Sequence, residues 1–196
     1  GNYSRSINYY LSALKKAKAA NQPVQQAAIF TAIGNIYVLE GDYNKARENY
    51  WFVLKQAEKD KDTARIASLA SNIGLAYSYA RQSEKGLIYL FRSLKLHEAP
   101  KNERGMAKTL DFIGYTFFTM GKYAEALKYL SLSLEKNEKT GDKIRILDNL
   151  RNLGWVYIRT GKFDLAENSL KKALTYSEEI SHLQGIEGVN EALSKL

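Results

Sequence analysis

The chain has 196 residues, with 29 Lys and Arg against 21 Asp and Glu, a net charge of +8 and no Cys. Hydrophobic residues make up 45% and charged residues 26%, close to the globular average, which excludes wholesale disorder. No apolar run reaches the length of a membrane span, and the lack of Cys excludes thiol catalysis and a disulfide scaffold while fixing no compartment. Two Pro and 13 Gly leave little punctuation for an all-β chain, so helix is favoured.

Residues 2–19 read as a helix without an earlier partner. From Val24 to Leu39, Ala27, Phe30, Ile33 and Tyr37 recur every three or four positions, which puts them on one helical stripe. Gly41 then stands where a helix must end and the chain turn. A further helix is predicted through Ala46, Tyr50, Val53 and Leu54. This pattern repeats at a period of 40 residues: Gly34, Gly74, Gly114 and Gly154 sit in AIGNIY, NIGLAY, FIGYTF and NLGWVY. Seven residues after each come Gly41, Arg81, Gly121 and Gly161, with Gly1 one period earlier. The columns Ala46, Gly86, Ala126, Ala166 and Tyr50, Leu90, Leu130, Leu170 follow in phase. A Gly inside a helix costs about 1 kcal/mol against Ala, so four at one column imply a close helix approach. The second repeat departs from the pattern, with Arg81 and Ser83 in place of the turn Gly and the aromatic, and a looser turn is expected there. Polar segments at 21–23, 59–62, 100–103 and 140–143 read as turns between repeats. Residues 183–196 read as a first helix without its second, so the sequence reads as cut from a longer protein.

The phrase (N/I)(L/I)Gxx(Y/F)xxxGx(Y/F)xxA, with Leu or Tyr four residues later and Leu four after that, resembles the tetratricopeptide repeat over essentially the whole chain. The family's usual repeat is about 34 residues; this longer version is similar to that of bacterial regulators and sensors. The resemblance implies an all-α, right-handed α-solenoid of antiparallel helix pairs. It divides the chain as one array: a half repeat at 1–20, repeats at 21–60, 61–100, 101–140 and 141–180, and a half repeat at 181–196.

Nothing in the sequence supports an enzyme or a cofactor. His97 and His182 lie 85 residues apart with no Cys to join them, and read as a solvated helix-end residue and a linker residue. No GxGxxG or GxxxxGK[ST] phrase occurs. The positive charges are interleaved with acids, as in EKDKD and EKNEKTGDK, which reads as a solvated helical face and disfavours nucleic acid. An acidic protein or peptide is the partner expected, with no membrane contact.

The resemblance implies recognition on a concave surface lined by the first helices. Columns that repeat serve packing, so columns that vary are free to serve a ligand. Counted from the fixed Gly, the variable stripe includes Asn35 in the first repeat and Tyr79 in the second. It continues with Tyr115 and Phe118 in the third and with Arg151, Trp155 and Arg159 in the fourth. These seven residues are the candidate groove, apolar toward its C-terminal end with two cations beside it. The same aromatics could equally fill the space between neighbouring first helices. A second candidate surface is Leu11, Trp51 and Phe91, one column of the second helices, which would support weak self-association or stand partly buried. Three functional readings follow: a protein- or peptide-binding scaffold, a sensory input domain of a histidine kinase or transcriptional regulator, or a structural dimerisation segment.

Overall fold

The computed structural model describes residues 2–196; Gly1, which opens the turn column in the sequence, lies outside them. Every regular element among the described residues is an α-helix. In chain order these are α1 (Asn2–Ala19), α2 (Pro23–Glu40), α3 (Tyr43–Lys59), α4 (Thr63–Tyr79) and α5 (Ser83–Glu98). Then come α6 (Glu103–Thr119), α7 (Tyr123–Thr140), α8 (Lys143–Arg159), α9 (Phe163–Glu179) and α10 (Leu183–Leu193). The chain divides into two compact units, residues 1–96 and 97–196. Within each, successive helices pack on one another as hairpins.

One turn design serves every hairpin. In the turn after α2, Gly41 at φ +80° sends its N–H to the Val38 carbonyl, and the Asp42 N–H reaches the Tyr37 carbonyl. This pair of bonds satisfies carbonyls that the helix end leaves open. The second repeat does the same with Arg81 at φ +57°, whose N–H bonds Ser78 while that of Gln82 bonds Tyr77. The turn expected to be looser is therefore as tight as its equivalents, because the two bonds hold a non-Gly residue in the left-handed region. The turns between repeats are built alike, on Asn21, Lys61, Lys101, Gly141 and Ser181, all at positive φ.

The residue that ends this motif also begins the next helix. Asp62, Asn102, Asp142 and His182 each accept the backbone N–H three residues on, at 2.9–3.2 Å. Such caps contribute about 0.5–2 kcal/mol each. His182, read as a linker residue, is thus the cap of α10. His97 differs more from expectation. It is 3% exposed rather than solvated, with its Nδ1 3.2 Å from the Asn102 amide and its ring against Gly105. Burial and nearby Lys108 hold its pKa below the usual histidine value, which favours the neutral ring.

The core follows the repeat columns. A Cβ added at Gly114 would lie 2.6 Å from Leu130 Cγ, and one at Gly154 2.6 Å from Leu170 Cδ2, so each Gly receives a branched side chain from the following helix. Tyr50 plays this part at Gly34, and its hydroxyl donates to Asn35 Oδ1 at 2.7 Å. The first unit centres on Tyr50, Leu54, Leu69 and Ile73. In the second, Ile146, Leu147 and Leu170 pack with Val189 and Ala192 of α10, while Leu183 is 74% exposed.

Deleting residues 183–196 removes Val189 and Ala192 from that core and part of the cover over Leu147. At about 1.5–3 kcal/mol per fully buried aliphatic side chain, the second unit loses roughly 3 kcal/mol. Thermal unfolding followed by circular dichroism should show a midpoint several degrees lower. An unchanged midpoint would mean that α10 covers nothing that matters.

Candidate functional site

Tyr115 and Phe118 lie in the last turns of α6, and Arg151, Trp155 and Arg159 are on one face of α8. The second unit brings these five together around a cavity of about 410 Å³. Asn152 and Leu130 complete its lining. Leu130 is the side chain seated in the Gly114 notch, so the contact that joins α6 to α7 also forms part of the cavity wall. Phe118 leans on Tyr123 with ring centroids 6.1 Å apart. Trp155 is half-buried and packs in part against the core of Ile146, Leu150 and Val189. Arg151 pairs with Asp148 at 3.2 Å. Arg159 is exposed and makes no ion pair among the described residues.

The other two groove candidates belong to the first unit and do not line this cavity. Asn35 is exposed apart from its bond with Tyr50, and Tyr79 stacks on Tyr43 with centroids 5.5 Å apart. Of the second candidate surface, Leu11 is 49% and Phe91 39% exposed. Trp51 is half-buried, its ring edge-on to Tyr89 at 5.7 Å. Tyr89 in turn stacks on Tyr77, whose other neighbour is the Arg47 guanidinium, 4.5 Å from the ring centre.

Asn152 connects the cavity to a buried polar network. Its amide donates to Asp111 Oδ1 at 3.1 Å, and the Asn149 amide donates to the same oxygen at 2.7 Å. Asn149 accepts in turn from the Asn137 amide at 2.6 Å and from the Ser133 hydroxyl at 3.2 Å. The network therefore ties α6, α7 and α8 together directly beneath the groove. Burial pushes the Asp111 carboxyl up to about 6, assisted by the nearby Asp148 charge and opposed by the two amides and Arg145. Burial likewise lowers the Lys108 ammonium to about 8, with Arg145 adding to the effect. Among the described residues no group of three or more His, Asp or Glu could hold a metal ion.

A carboxyl whose folded pKa lies above its unfolded value binds its proton more tightly when folded. Its contribution to stability is complete below about pH 4 and is lost as pH rises through about 6. At about 1.4 kcal/mol per unit, the loss approaches 3 kcal/mol. Asp111→Asn keeps an oxygen for both amides and removes the titration. Urea unfolding should show the variant more stable than the native chain at pH 7 and level with it near pH 4. Parallel pH profiles for the two proteins would refute this account of the network.

The family model described as tetratricopeptide repeat matches residues 105–179, the segment that holds the groove and its network. No curated protein matches the chain in sequence. Among solved structures, a Rap protein complexed with Competence and Sporulation Factor is similar over 96% of this chain and 53% of its own, with 16% identity and a TM-score of 0.89. NprR in complex with its cognate peptide NprX is similar over 98% of this chain and 57% of its own, with 19% identity and a TM-score of 0.72. BtubC from P. vanneervenii is similar over 93% of this chain and 76% of its own, with 20% identity and a TM-score of 0.72. The chain thus spans about half the length of the Rap and NprR structures. At these identities the likeness is one of fold.

Proposed function

We propose, on the premise that the chain carries tetratricopeptide repeats, that it is a protein- or peptide-binding module whose site is the groove of Tyr115, Phe118, Trp155, Arg151 and Arg159. The observation that supports this most is that five of the seven candidates, the aromatic and Arg residues that the variable columns carry in the third and fourth repeats, line one cavity. Aromatic and Arg side chains are the types that dominate binding energy at interfaces. A groove with an aromatic floor and two guanidinium groups at its edge suits a segment that carries an apolar side chain and a carboxylate. Charge-assisted hydrogen bonds to such a carboxylate contribute about 1.5–3 kcal/mol each. Asn35 and Tyr79, in the first unit, are not part of this site. Nothing in the proposal requires catalysis or a cofactor.

In this proposal residues 1–196 form one array of four repeats and two half repeats. The finer form of the proposal is a sensory or regulatory input domain. It is supported by the fold shared with NprR in complex with its cognate peptide NprX and with a Rap protein complexed with Competence and Sporulation Factor.

Trp155 and Leu153 separate the groove from the core. Leu153 is 4% exposed, and Leu153→Ala should cost about 2–5 kcal/mol of stability through the cavity it leaves. Trp155→Ala should cost less stability but about 2 kcal/mol of binding, close to thirtyfold in Kd. The measurement is titration calorimetry with a peptide selected on the native chain from a displayed library, beside thermal melts of both variants. If Trp155→Ala unfolds as badly as Leu153→Ala, Trp155 is core and the groove is misassigned. Unchanged affinity in a folded variant would place the site elsewhere.

A further inference from the structure

A second cavity of about 370 Å³ lies in the first unit, between the first turn of α2 and the second half of α3. Pro23 and Ala27 form one side, Phe52 and Gln56 the other, and Lys55 and Lys59 stand at its rim. Phe52 is 55% exposed although its ring touches Phe30 at 4.3 Å between centroids. Lys18 of α1 adds a third cation, 6.0 Å over the Phe30 ring.

In the third and fourth repeats an ion pair spans the equivalent space. Glu103 occupies the column of Pro23 and Lys136 that of Gln56, and the two pair at 2.7 Å. One repeat later, Lys143 at the Pro23 column pairs with Glu179 at the Lys59 column, at 2.8 Å. In the first repeat, Pro23 has no charge to offer, and the Gln56 amide turns to Asp60 at 2.8 Å. Lys55 and Lys59 make no ion pair among the described residues. The strut that bridges the helix pair in the third and fourth repeats is missing, and an aromatic floor lies open between unpaired cations.

We propose that this groove is a second docking site, separate from the Trp155 groove, for an acidic protein segment. The segment lays an aromatic or branched apolar side chain on Phe52, beside Pro23 and Ala27, and sets carboxylates against Lys55 and Lys59. Charge complementarity selects the occupant: a basic segment meets the like charges of Lys55 and Lys59, and a neutral one leaves them unused. A concave cleft also suits a side chain better than a flat anionic membrane.

The probe is a fluorescein-labelled octapeptide with a central Leu-Phe pair and three acidic residues on each side, titrated by anisotropy with the whole chain. The native protein should bind it. An acidic peptide also suits the first groove, so the titrations are repeated in the Arg151→Glu, Arg159→Glu double variant, which removes that groove's cations. Binding should persist there, and adding Lys55→Glu with Lys59→Glu should weaken it by at least about tenfold. Pro23→Glu with Gln56→Lys copies the Glu103–Lys136 strut and should close the cleft, weakening the peptide by about tenfold or more while the thermal midpoint holds. The proposal is overturned if the native chain does not bind, or if a peptide with Lys in place of the acids binds equally well. Loss of binding in the Arg double variant, or none on adding the Lys substitutions, would overturn it too, as would capture by phosphatidylserine vesicles without the peptide.

Discussion

The close approach of paired helices at one glycine column governs the rest of the structure. At Gly34, Gly74, Gly114 and Gly154 a side chain sixteen residues later fills the space that a Cβ would occupy, with clashes of 2.5–2.7 Å if one were added. A helix interior gives up about 1 kcal/mol at each Gly relative to Ala, and the buried contact of Tyr50, Leu90, Leu130 or Leu170 offsets it. Once this contact sets the spacing of a hairpin, the remaining columns have little freedom. Ala46, Ala126 and Ala166 must be small, and all three are fully buried. Leu130 links this constraint to the groove, because the residue that fixes the α6–α7 spacing also lines the cavity.

The groove and the network beneath it divide the work between apolar contact and polarity. Tyr115, Phe118 and Trp155 give surface that water wets poorly, while Asp111, Asn149 and Asn152 hold three helices at a fixed register below it. A buried carboxylate is an expensive way to do this, as the raised Asp111 pKa records. Apolar side chains at those positions would pack three helices with less penalty, but with less demand for one alignment.

The repeat period, helix pairs and packing stripe were legible in the sequence because each rests on a periodicity that recurs four times. The turns were legible only in part. Gly41, Gly121 and Gly161 announce a left-handed residue, whereas Arg81, Lys61 and Lys101 adopt the same conformation with no side-chain signal, held by the bonds around them. The five aromatic and Arg residues of the cavity could be found because they break the repeat pattern while facing one way. Asn152 was missed because its column was not counted as variable, and Leu130 because its column looked purely structural. The buried network had a sequence trace that went unread. Asp111, Asn149 and Asn137 stand at columns where the second repeat carries Ser71, Leu69 and the first Ala57, and polar substitutions at interior columns come in groups because each needs a partner. His97 hid for the same reason, since its partner Asn102 lies just across a turn.

The Asp111 network also bears on how such a chain can change over generations. A solenoid whose repeats met only through Leu and Ala could exchange, duplicate or reorder them, since any neighbour would offer the same greasy face. Here Asn149 needs the carboxylate 38 residues before it and the Asn137 amide 12 before it. If the second and third repeats traded places, Asn149 would look for Asp111 and find the position of Ser71, with a shorter side chain and no charge. Exchanging the third or the fourth repeat alone would therefore leave polar groups of the other buried without partners, a cost that an exchange of purely apolar repeats would not meet.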